Sequence, residues 1–71
     1  MPSPTFGARL RHLREAAGLS QSELADLAGV HRVALARYEA DRVEPLFSAV
    51  LRIADALGVS VAELAYTPPS E

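Results

Sequence analysis

Arg32 and Arg37 fall, with Val33 and Ala36, on one side of a helical wheel drawn over RVALARYE. Planar guanidinium forks beside short apolar side chains are the chemistry that reads base edges in a major groove. An arginine fork matches guanine O6 and N7, and a valine suits a thymine methyl. His31 stands at the N-terminal tip of the segment and Ala34 at the edge of the same surface. Two solvated arginines on an exposed helix are the ordinary alternative, and the elements around them weigh between the readings.

Those elements lie in QSELADLAGVHRVALARYE, from Gln21 to Glu39, where two short helical patterns meet across Gly29. Ser20 is an N-cap residue, and Glu23, three positions on, completes the spacing of a capping box. Leu24 and Ala28 share one face of the first pattern; Val30, Leu35 and Tyr38 are the apolar positions of the second. Gly29 tolerates the positive φ of a tight turn, so the two helices cross steeply, and Ala25 sits where they come closest. This is the spacing of a helix-turn-helix, with double-stranded DNA as the leading ligand. Gln21 then opens the first of the two helices, where backbone N–H groups and the helix dipole favour a phosphate, against the alternative of an ordinary exposed glutamine. Arg42, just beyond the second helix, suits a phosphate in the same way.

The rest of the chain reads as support. Phe6, Leu10, Leu13 and Ala17 predict a first helix capped by Thr5 and stopped by Gly18. The second helix runs to about Ala28 and the third from about Arg32 to Ala40. Pro45 biases Glu44 away from helical angles, and Val50, Leu51, Ile53, Ala54 and Leu57 predict a fourth helix ended by Gly58, with Leu46 a poor cap. Ser60 and Glu63 repeat the capping-box spacing, so Val61, Leu64 and Ala65 predict a short fifth helix cut off by Pro68 and Pro69. The expectation is an all-α fold, a compact bundle of five short helices. It forms one domain over residues 1–71, with an ordered core at about 5–66 and frayed proline-rich termini.

Composition narrows the function classes. The net charge of −2 argues mildly against nucleic acid, but it is unevenly spread: through Val43 six arginines face five acids, and from Glu44 onward one arginine faces four. Lysine and cysteine are both absent, so no disulfide or thiolate metal site exists. His12 and His31 lack the carboxylate cluster a metal site needs, and no metal, cofactor or small-molecule ligand is expected. His12 reads as a solvated position, and His31 as a cap or a DNA contact. The serines sit at caps, loops and termini, which does not suggest an enzyme. No segment has the roughly 20 apolar residues of a membrane span, and no signal peptide is expected, so the default location is the cytoplasm. Leu46, Phe47, Val61, Leu64 and Tyr66 exceed what one small core easily hides. They either complete the monomer core or form a homodimer seam.

With the helix order in place, residues 5 to 66 resemble the lambda-repressor-like helix-turn-helix proteins, the Cro/repressor or Xre family. LRHLREAAGLSQSELADLAGV is similar to the family's opening, RYEADRVEP to the end of its recognition helix and following loop, and LRIADALGVSVAEL to its last two helices. The resemblance implies a cytoplasmic, bacterial or phage-like transcriptional regulator that binds operator DNA as a dimer. It also implies that positions 32, 33 and 37 read bases, and that Arg14 and Glu39 form a partly buried ion pair, with Arg14 also near a phosphate. Repression at a near-palindromic operator is the simplest mechanism. The alternatives are an antitoxin or restriction-modification controller protein using the same binding mode, and a protein-interaction module of the same fold that does not bind DNA.

Overall fold

A computed structural model describes residues 5–65. Within that range the chain forms five helices: α1 (Phe6–Ala16), α2 (Gln21–Ala28), α3 (Arg32–Glu39), α4 (Phe47–Leu57) and α5 (Val61–Ala65). No strand occurs among the described residues. Each helix contributes one fully buried large side chain to a common centre: Leu10, Leu24, Leu35, Ile53 and Leu64. Ala25, Ala28, Val50 and Ala54 fill the spaces between them. Such a shared centre suits a chain this short, because no helix pair alone could bury enough apolar surface to offset the entropy of folding.

The helix starts follow local chemistry. Thr5 Oγ1 accepts from the Ala8 N–H at 3.1 Å. At Ser20 both arms of the capping box close, the hydroxyl accepting from the Glu23 N–H at 3.0 Å and the Glu23 carboxylate from the Ser20 N–H at 2.9 Å. His31 caps α3 by accepting the Val33 N–H at Nδ1 over 3.1 Å. Leu46 makes no side-chain cap for α4. Between α2 and α3, Gly29 adopts φ 68°, and the Val30 N–H returns to the Ala25 carbonyl at 3.0 Å. That left-handed turn satisfies the last carbonyls of α2 and redirects the chain at once into α3.

Several details differ from the sequence reading. Helix α1 stops at Ala16, so Ala17 is an exposed cap residue and not part of the buried stripe, and α3 stops at Glu39, one residue early. Leu51 is 44% exposed, because Val50, Ile53 and Ala54 define the inward side of α4 and Leu51 falls off it. Ala65 is exposed at the end of α5. Leu64, open in the sequence between the monomer core and a homodimer seam, lies at 0% exposure in the centre of the core and has no surface to offer a partner. Val61 is half-buried against the same core. Tyr66 and the proline-rich ends lie outside the described residues.

Candidate nucleic-acid interface

Leu35 anchors α3 to the core and Tyr38 packs partly against it, which turns Arg32, Val33, Ala36 and Arg37 outward. These four, with Gln21 from α2 and Ala40, Arg42 and Val43 after α3, line one open concavity. Its lining holds three guanidinium groups and no carboxylate, over a floor of alanine and valine. A weakly acidic chain thus presents a locally cationic face. Val33 is 43% exposed, so its methyls are available to a ligand. Ala34 is half-buried and outside the lining, and His31, also outside it, has Nδ1 engaged as the helix cap.

Behind this face a polar network joins three helices. Arg14 donates from Nε to Glu39 Oε2 at 2.6 Å, from Nη2 to Glu39 Oε1 at 3.0 Å, and from Nη1 to the Leu19 carbonyl at 2.8 Å. Gln21 Nε2 donates to Glu39 Oε1 at 3.1 Å. The fork-to-fork pairing is the strong geometry for a guanidinium and a carboxylate, and the side chains are only 11% and 4% exposed. The hydrogen bond to Glu39 holds the Arg14 guanidinium above its usual range despite the opposing effect of burial, with the charges of Glu39 and Glu15 adding to it. Three of the five N–H donors of Arg14 are engaged in these bonds, which fix the guanidinium at the edge of the surface. Gln21 is pinned by the same carboxylate while lining the concavity, which fixes the start of α2 relative to α3.

Two supporting residues escape the sequence reading. Asp41 adopts φ 56°, in the left-handed region, and its carboxylate reaches back to the start of α1, accepting from the Thr5 hydroxyl at 2.6 Å and the Gly7 N–H at 2.9 Å. The carboxylate therefore satisfies a helix N-terminus and clasps the turn that carries Arg42. Gly7 sits where α1 meets the end of α3: a Cβ there would lie 2.4 Å from the Glu39 carbonyl oxygen. The only local signal for Asp41 was that aspartate tolerates left-handed backbone after a helix end. Gly7 carried none, since a glycine in a first turn reads as a weak helix former.

A family model described as a helix-turn-helix domain matches residues 5–66. The SPbeta prophage-derived HTH-type transcriptional regulator YonR of Bacillus subtilis is 36% identical over 55 residues, covering 78% of this chain and 51% of that protein. The chain spans between 34% and 51% of the length of the curated relatives it matches. Among solved structures, the restriction-modification controller protein C.AhdI from Aeromonas hydrophila superposes with a TM-score of 0.82 at 41% identity, over 83% of this chain and 89% of that one. SinR, a master regulator for biofilm formation whose structure was solved in complex with DNA, superposes with a TM-score of 0.81 at 33% identity, over 84% and 97%. The crossing of α2 and α3 at Gly29, the five-helix core and these likenesses converge: the chain belongs to the helix-turn-helix domain family, in its lambda-repressor-like form.

Proposed function

We propose that the chain binds double-stranded DNA sequence-specifically and acts as a transcriptional regulator, a repressor in its simplest form, with α3 as the recognition helix. The observation that carries this is the outer face of α3, where Arg32, Arg37 and Arg42 surround an apolar floor with no carboxylate among them. Arg32 and Arg37 read guanines, Val33 meets a thymine methyl, and Arg42 and Gln21 hold phosphates on either side. His31 and Ala34 border the reading surface. Ser20 and Ser60 are both engaged in helix caps, which supports a binding role over a catalytic one.

The regulator works as a homodimer that places two copies of α3 in successive major grooves about 34 Å apart on a near-palindromic site. Leu46 and Phe47, 72% and 69% exposed beside Leu51, supply the apolar seam. The similarity to C.AhdI over nearly its whole length favours a second circuit, a restriction-modification controller with the same binding mode, which gene neighbours would distinguish.

The test is selection from a randomised DNA pool at two salt concentrations, with an Arg32→Ala, Arg37→Ala variant alongside. The parent enriches one sequence, and each lost arginine costs about 1 to 3 kcal/mol of discrimination. No enriched sequence at low salt would overturn the reading and leave a protein-interaction module. Sedimentation showing monomer both free and on DNA would remove the dimer and its palindrome.

A further inference from the structure

We propose that Arg11 is an additional phosphate anchor of this interface and that Glu15 attenuates it, an inference that rests on the DNA-binding reading above. A second concavity, lined by Arg11, Arg14, Gln21, Ala36, Glu39 and Ala40, adjoins the first and shares Gln21, Ala36 and Ala40 with it. The joined surface therefore runs from Arg42, past the outer face of α3, to α1. At the α1 end the charges are unequal in effect. Arg14 and Glu39 neutralise each other with side chains 11% and 4% exposed, so the cation offered to a ligand is Arg11. The recognition helix is flanked by a guanidinium at each end of the surface, as suits a groove bordered by phosphates on two strands.

Arg11 is held only loosely. Its Nε meets Glu15 Oε2 at 3.4 Å, and the two side chains are 65% and 57% exposed. A solvated pair four residues apart on a helix contributes little, whereas an arginine on a phosphate forms shorter, charge-assisted bonds. DNA displaces Glu15 from Arg11, because the carboxylate, one turn away, competes with the phosphate for the same guanidinium. Glu15 thus lowers affinity without touching base readout.

The test uses the DNA sequence that the parent selects, with affinity measured between about 50 and 200 mM salt for the parent, Arg11→Ala, Glu15→Gln and the double variant. Loss of one phosphate contact lowers the slope of log affinity against log salt by about 0.9 per bound chain. The advantage of the parent over Arg11→Ala then shrinks about 3.5-fold per bound chain across that range, or about 12-fold for a bound dimer. The selected sequence stays the same, and Arg11→Lys restores most of the slope. Glu15→Gln binds more tightly than the parent, and its gain disappears in the Arg11→Ala background. All variants melt with the parent, because both side chains are solvated. An Arg11→Ala slope equal to the parent's, or a Glu15→Gln gain that survives without Arg11, overturns the proposal. A parent that selects no DNA overturns instead the reading on which it rests.

Discussion

Replacing Gly7 with alanine should destabilise the protein, although a glycine-to-alanine change inside a helix ordinarily gains about 0.5 to 1 kcal/mol. The added Cβ would lie 2.4 Å from the Glu39 carbonyl oxygen and 2.6 Å from that of Tyr38, where ordinary contact begins at 3.4 Å. Relief requires α1 and α3 to separate by about 1 Å in a close-packed region. Both obstacles are backbone atoms, and the Tyr38 carbonyl is already tied to the Asp41 N–H at 3.1 Å, so neither swings aside as a side chain would. Overpacking costs about 1 to 3 kcal/mol, and with two backbone carbonyls in the way the upper part of that range applies, about 2 to 3 kcal/mol. After the helical gain a net loss of about 1 to 2 kcal/mol remains. A chain of this length has a total stability of roughly 4 to 10 kcal/mol, and a domain this small loses about 4 to 8 °C of melting temperature per kcal/mol. Thermal melting followed by circular dichroism should therefore show a drop of about 5 to 15 °C. The same separation stretches the Arg14–Glu39 pair and loosens Gln21, so DNA affinity falls with stability. A Gly7→Ala protein that melts at or above the parent would refute the argument, because it would mean that the helices have room the geometry denies them.

Glu39→Ala leaves Arg14 nearly buried without its carboxylate, and urea denaturation should register a loss of about 3 to 5 kcal/mol, far more than for Glu15→Ala at the exposed pair. At Asp41 the order of stability should be parent, then Asp41→Gly, then Asp41→Ala: glycine loses the clasp on α1 but accepts φ 56°, while alanine also bears about 1 to 2 kcal/mol of left-handed strain. The reverse order of the two variants would show that the turn relaxes freely. Hydrogen bonds from the Ser20 backbone and hydroxyl hold the Glu23 carboxyl below its ordinary value of 4.5, so its stabilisation is present above that pH and is lost as pH falls through the lowered folded value. Melting temperature followed from neutral pH into the acid range should decline less steeply for Glu23→Gln than for the parent, and parallel profiles would count against the capping box as its source.

Much of this architecture is legible locally. Ser20 with Glu23, and Ser60 with Glu63, announce helix starts because a cap is a contact between residues three apart. Gly29 and Gly58 announce helix ends because only the chain's own backbone decides who tolerates positive φ. The inward sides of α2 and α3 follow from periodicity, and with them the outward placement of Arg32, Val33 and Arg37. Leu51 and Leu64 were harder. Both are leucines at helical spacing, and whether a leucine fills a core or faces solvent depends on which neighbouring helix reaches it, which no single helix reveals.

The sequence by itself determined the helices, their caps, the turn at Gly29 and the chemical types on the outer face of α3, since each depends on bonds and periodicities spanning a few residues. Tertiary structure alone decided the rest. The Asp41 clasp links positions 36 residues apart. The exclusion of any Cβ at Gly7 is imposed by the carbonyls of another helix. Sharing of Glu39 between Arg14 and Gln21, and the extension of the cationic surface to Arg11, arise only when α1, α2 and α3 pack together. Such contacts follow from distance in space, and a linear pattern carries no measure of that distance.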